Sequence, residues 1–383
     1  MPRGSRGLTS RNDVARSPRH FHPRSQPRPA NIYAVLRGGA ALCAERNKIV
    51  RAGWGGFLVA VVVVPVFGHH SDAGYNQENV IALQGTVTEF RWRNPHITTF
   101  IEVDGENGET AVWGIETGST PVMSRSGWTR EMFELGDVVS VRAHPDRNPD
   151  RRLAMMISME DSDGRVWIQD ESESEATEQA ETIAGAYRGR LPTLGPFSEA
   201  LGGLPLTPAG EAARASYDFR TESPIPQCIP PSTPRVLLAT SVYLTEIEIL
   251  EDRVMIRNEF FDNERTIWVD GRGHPENGER TNQGHSIGYF DGTTLVVDTV
   301  NFSDYRTAYG EGVPSGAQKH VTERFALSED RTRLVIDVTV EDPEYLAETF
   351  SGTIEWTYTP QLQLYRYDCI PELSGSGQFV END

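Results

Sequence analysis

Residues 319–341 read KHVTERFALSEDRTRLVIDVTVE. Within this stretch Leu334, Ile336, Val338 and Val340 alternate with Val335, Asp337 and Thr339, the period of two expected when one strand face is buried and the other meets water. The same alternation sets Ile354, Trp356 and Tyr358 against Thr353, Glu355 and Thr357. Working outward, ten strands are expected: 236–240, 243–250, 253–260, 265–270, 285–290, 293–299, 319–327, 332–341, 352–359 and 362–368. Connections as tight as Asp291-Gly292 and Glu251-Asp252 make neighbours antiparallel. Many consecutive antiparallel strands must close or fold over to hide their edges, so residues 185–383 are expected to form an up-and-down, lipocalin-like barrel or, failing that, a two-sheet sandwich.

Upstream, Val80–Phe90, His96–Val103 and Glu109–Ile115 read as a meander, a short helix fits within 119–134, and strands follow at 137–143 and 153–159. Five strands with a helix between the third and fourth outline a small OB-like Greek-key barrel over 69–168, and the chain is all-β in class. Residues 169–184 (QDESESEATEQAETIA) carry six acids and no base, an acidic linker between the two domains. The region 185–235 is rich in proline and glycine and contains one expected helix, with Thr207 as N-cap and Pro208 at the first helical position.

The formal charge of −19 is a mixture. Residues 1–68 hold 11 Lys plus Arg against Asp13 and Glu45, so the remainder carries −28. A surface that acidic repels a polyanion, which excludes a nucleic-acid partner held by phosphate neutralisation. Arg51 precedes the apolar run Gly55–Phe67 (GGFLVAVVVVPVF), too short to span a bilayer but fitted to an export signal cleaved after Gly68. The basic segment before it is read as a leader that is removed or lies upstream of the true start. Export to the periplasm or medium is therefore expected, with no stable membrane span after cleavage. In that oxidising setting Cys228 and Cys369 are expected to pair, closing a loop of about 140 residues.

Two long connections draw functional attention, because long loops in compact domains are often binding or catalytic segments. One, 271–284, carries His274; the other, 301–318, carries Asp304, Tyr305, Arg306 and Tyr309. In a meander both overhang one mouth, beside His285 and His320, and together these residues make a candidate site for proton exchange near neutral pH. Glu323 is a further candidate, since it shares a strand face with Val321, Phe325 and Leu327 and is either a general acid or base or the partner of a neighbouring arginine. Asp298 beside Val296 poses the same question. After residue 68 Lys319 is the sole lysine, so amine-based covalent chemistry is not expected. No cofactor motif is present. The adjacent His69 and His70, with His96, are the one grouping that points to a metal, a copper ion at a mature N-terminus. Gly284-His285-Ser286-Ile287-Gly288 matches G-x-S-x-G, but a strand follows it where a nucleophile elbow needs a helix.

The segment with His69-His70-Ser71, Gly85-Thr86-Val87, Trp92, Asn94-Pro95-His96, Gly127-Trp128 and Gly136-Asp137 resembles a family of exported bacterial proteins of unknown function over residues 69–168. LPLTPAGEAA, QCIPPSTPR, GHSIGYFDGTTLVVDTVNF and HVTERF resemble a second uncharacterised bacterial region. These resemblances imply export and a boundary near residue 170, and no activity. The expected function is binding of a small apolar or aromatic molecule in the C-terminal domain. The alternatives are an enzyme using His285 or Glu323 as base and His320 or Tyr305 as acid, and a structural or copper-binding envelope protein.

Overall fold

The computed structural model describes residues 74–105, 108–168, 176, 178–310 and 312–371. Short turns join β1 (Ile81–Arg91), β2 (Thr98–Asp104) and β3 (Thr110–Glu116); α1 (Thr120–Arg125) leads to β4 (Val138–Pro145), β5 (Leu153–Glu160) and β6 (Val166–Ile168). β1 pairs with β2 and β4, β4 pairs with β5, and β5 runs parallel to β3, which closes the five strands in the OB-like order. Val87, Ile101, Ile115, Val141 and Met159 fill the interior, and α1 adds Val122 and Met123.

The second barrel contains nine strands: β7 (Gly185–Gly189), β8 (Thr245–Ile249), β9 (Arg253–Asn258), β10 (Asn263–Trp268), β11 (His285–Asp291), β12 (Thr294–Val300), β13 (His320–Leu327), β14 (Arg333–Glu341) and β15 (Phe350–Tyr358). A closed ring of nine cannot alternate in direction all the way round. The parallel pair is β10–β11, offset so that Ile267 and Trp268 lie beside Ser286 and Ile287.

Two expected strands are not strands. Residues 236–240 lie in a 3₁₀ helix, Arg235–Ser241, because the unalternating run VLLA packs Val236 and Leu237 together onto the barrel. Residues 362–368 find their backbone partners in carboxylates instead of a ladder: Tyr365 N–H donates to Glu259 (2.8 Å), and Tyr367 and Asp368 N–H donate to Asp262 (2.9 and 3.0 Å). The place in the sheet is taken by β7, from the stretch read as loop. A second unexpected element, α2 (Leu191–Gly202), packs Leu194, Phe197 and Leu201 on the barrel, with Phe197 edge-on to Phe350. The acidic run is anchored where it ends, since Ala180 and Ile183 are buried.

The C-terminal tail ties the barrels together. Cys228 and Cys369 form a disulfide. Just before it, Tyr367 is buried against Tyr243, Phe260 and Phe261, and its carbonyl accepts from Asn94 and Thr120 of the first barrel. Alongside, Arg125 reaches the buried Glu259 at 2.6 Å. Among the described residues no helix is long and apolar enough to cross a membrane.

The expected cap is present. Thr207 Oγ1 accepts from Gly210 N–H (3.2 Å) at the start of α3 (Pro208–Ala215) and donates to the Glu344 carbonyl (2.6 Å). Thr207→Ala is expected to cost about 1 to 2 kcal/mol and Thr207→Ser a small fraction of that, read from urea unfolding midpoints.

Candidate functional site

The sheet β11–β15 brings several chemistry-bearing side chains to one rim. Gly284 enters β11 at φ +71°, and a Cβ there would stand 2.7 Å from the Val300 carbonyl, so only glycine lets the chain turn this tightly into His285. Opposite His285 in register is Val300, while Asp298 pairs with Thr322 and His320 with Glu341. Leu295, Val297 and Thr299 point into the barrel, so by alternation Asp298 points outward, as do His285 and His320. Offset pairing of β10 with β11 lets the 269–284 connection fold back beside this face. It pairs with the other long loop, Ser303 N–H donating to the Thr281 carbonyl at 2.8 Å, and it delivers His274 to the cluster.

The result is a hydrogen-bonded chain on the outer face of the barrel. Asp298 holds one imidazole on each carboxylate oxygen, His274 Nε2 at 2.8 Å and His320 Nε2 at 2.9 Å. His274 Nδ1 lies 2.9 Å from His285 Nδ1, and His320 Nδ1 lies 3.3 Å from Glu341. Proton placement follows from donor counting. An ionised Asp298 only accepts, so both Nε2 atoms are donors. His320 then faces carboxylates on both nitrogens and carries both protons. With His274 and His285 neutral, His274 Nδ1 accepts from His285 Nδ1–H. A lone pair is left on His285 Nε2.

The proton affinities run the same way. Burial, then the neighbouring His274 and Arg272, lowers the pKa of His285. Burial alone would lower His320 too, but its bonds to Asp298 and Glu341 outweigh that and raise it. Asp298 is held below the usual carboxylate range, because the bonds from His320 and His274 overcome its burial. His285 and His320, joined through His274 and Asp298, have oppositely shifted affinities, the arrangement that divides acid from base.

The other sequence candidates are placed elsewhere. Glu323 is fully buried inside the barrel, three residues from His320 and therefore on the opposite face of β13. Arg265 clamps both of its oxygens and also reaches Ser286 (3.0 Å) and Thr299 (2.7 Å). The gap beside Arg265 measures about 20 Å³, room for a single water and not for a ligand. Tyr309 is buried and donates to Asp342 (2.6 Å). His96 bonds the Thr117 carbonyl (3.0 Å), and His69 and His70 lie outside the described residues. Among the described residues no three His, Cys, Asp or Glu side chains are arranged to hold a metal.

Asp304, Tyr305 and Arg306 line a separate cleft of about 220 Å³ with Glu222, Pro224, Gln227, Ile229, Asn282 and Ser303. Arg306 is fixed there by Glu222 (3.2 Å) and the Ala213 carbonyl (3.3 Å).

Sequence reasoning passed over Glu341, and it weighed Lys319 only as a covalent amine and set it aside. Glu341 is an ordinary strand-end acid until register places it opposite His320. Lys319 is 1% exposed, bonded to Ser232 (3.1 Å) and Ser315 (3.0 Å) and lying over the Phe302 ring at 4.2 Å. A solitary lysine directly before a strand was the available signal.

Residues 58–154 match the model of a family of unknown function (DUF6152). The match ends at the start of β5 and does not reach the rim. No curated protein matches the chain.

Proposed function

We propose that the protein is exported and that the outer rim of its C-terminal barrel carries out proton-transfer chemistry on a small molecule, of the kind used in isomerisation, hydration or hydrolysis. The carrying observation is Asp298 with an imidazole on each oxygen and His285 in line behind one of them. In this reading His285 Nε2 removes a proton and His320 delivers one from Nδ1, releasing its longer, exposed bond to Glu341. His274 and Asp298 are positioning residues that fix the tautomers, and proton exchange with solvent returns His285 and His320 to their starting states. Export is supported by the basic and apolar leader pattern and by the compatible disulfide.

The base must be neutral and the acid charged, so the rate is expected to peak between the lowered His285 and the raised His320, near the ordinary imidazole value of about 6.5. The test is incubation with envelope extract in D₂O, scored by mass spectrometry for compounds consumed or deuterated. His285→Gln and His320→Gln are each expected to cut that turnover by about 10²- to 10⁴-fold. Identical profiles for both variants and the parent would refute the assignment.

Binding without chemistry is a second reading, favoured by the cleft under the 301–318 loop. Its volume exceeds the roughly 150 Å³ of an engineered cavity that holds benzene.

A further inference from the structure

The arm that delivers His274 is held by few contacts. Between residues 271 and 279 the hydrogen bonds, ion pairs and ring contacts that reach back to the barrel come from two side chains, Arg272 and His274. Gly271 and Gly273 flank Arg272, and no atom lies within 4 Å of where a Cβ of either would stand, so no side chain walls the arm in there. Ordering such a segment costs backbone entropy at every residue, which those two side chains must offset.

Arg272 does so with a fixed geometry. Its guanidinium lies over the Trp268 ring, 3.6 Å from the centroid, while Nε donates to Asp270 Oδ1 (2.9 Å) and Nη2 to Asp270 Oδ2. These bonds hold the Asp270 carboxyl down at about 2, so the fork stays ionic wherever imidazoles titrate. Ile267 is buried, so by alternation Trp268 points outward, and register sets it beside Ile287, which in turn pairs with Asp298. Trp268, Ile287 and Asp298 thus form one row across β10, β11 and β12. Arg272 is pinned at one end of the row and His274 at the other, and the tripeptide Arg272-Gly273-His274 spans β11 between them.

We infer that Arg272, seated on Trp268, is the positioning residue that sets His274 between His285 and Asp298. This rests on the proton-transfer reading and adds a residue to it. Among the described residues His274 is the one hydrogen-bond partner of His285 Nδ1. Without it the His285 proton is free to move to Nε2, the atom that must be bare in a base. Lysine at 272 keeps the charge but has neither the planar stack nor the fork, so it separates positioning from charge alone.

The test is the ring-nitrogen NMR spectrum of the full chain labelled with ¹⁵N-histidine, followed through the imidazole titration range. In the parent, His285 is expected as the Nδ1–H tautomer with a midpoint below the ordinary value, and His320 with one above it. Arg272→Lys and Trp268→Leu are each expected to move the His285 midpoint up toward the ordinary value and to bring in the Nε2–H tautomer. His320 should stay raised in both, because its partners Asp298 and Glu341 are untouched. In a His274→Ala background Arg272→Lys is expected to change nothing further. An Arg272→Lys spectrum identical to the parent's would overturn the assignment, and so would an equal shift with His274 absent, since Arg272 would then act on His285 directly. Turnover in the D₂O assay separates this from the reading beneath it. Arg272→Lys is expected to lose about 10²-fold. An altered spectrum with unchanged turnover overturns the proton-transfer reading alone; an unaltered spectrum beside an inactive His285→Gln overturns the role of Arg272 alone.

Discussion

Arg265→Met is expected to destabilise the C-terminal barrel by about 3 to 5 kcal/mol, seen as a lowered urea midpoint. The guanidinium makes four polar contacts inside the barrel, two to Glu323 and one each to Ser286 and Thr299. Glu323 is fully buried between Val321 and Phe325, out of reach of bulk solvent. Losing a buried ion's partner costs far more than the pair's net worth, since the remaining charge keeps its whole desolvation penalty. Removing both charges is a different experiment. In Arg265→Met/Glu323→Leu the two hydroxyls still bond each other at 3.0 Å, and the interior becomes continuous hydrocarbon. The double variant is expected to recover most of the loss. A single variant within 1 kcal/mol of the parent would mean that Glu323 is already protonated and the pair is not ionic.

This pair also shows what a strand pattern reveals and where it stops. Parity alone puts Glu323 on the Val321 face and His320 on the other, so the two were separable as site members before any fold was known. What parity lacked was the identity of Glu323's partner. Arg265 reaches it across the barrel from β10, not from a neighbouring strand, and only closure of the ring brings them together. The His285–His320 association was legible for a similar reason: both begin strands at one rim of a meander. Asp298 between them follows from register, which sequence leaves open until the β12–β13 pairing is fixed. The misread segments either had no period to read or carried one that their backbone does not follow. VLLA is apolar at every position, GAYRG has glycine at both ends, and the 362–368 tail alternates by composition while its amides bond carboxylates. The odd strand count was likewise invisible, because the parallel contact that closes the ring spans only two residues of register.

Lys319→Met is expected to raise stability at pH 7 by about 2 kcal/mol and to lower it at pH 10, a change of sign no surface lysine gives. Burial drives the Lys319 amine down to about 7, with Asp342 opposing and Arg265 assisting. In the unfolded chain it titrates near its ordinary value of about 10.4. Between those two values the unfolded state holds a proton that the folded state has released, so stability climbs with pH at about 1.4 kcal/mol per unit. Below about pH 7 both states are charged and the penalty is complete; above about 10.4 both are neutral and it is gone. Methionine removes the penalty at every pH and forfeits the bonds to Ser232 and Ser315, worth about 1 kcal/mol each. The two curves must therefore cross within the window. Urea midpoints at pH 7, 8, 9 and 10 decide it, and a difference between parent and variant that stays flat with pH would show that Lys319 is charged in the fold. The forfeited bonds have a second consequence. Lys319 joins Ser315 of the 301–318 loop to Ser232, three residues beyond Ile229 in the cleft wall, and Ser315 N–H donates to the Tyr305 carbonyl at 3.2 Å. Lys319→Met should therefore loosen the contact between these two loops while stabilising the barrel at pH 7, and Asp304→Asn should do neither.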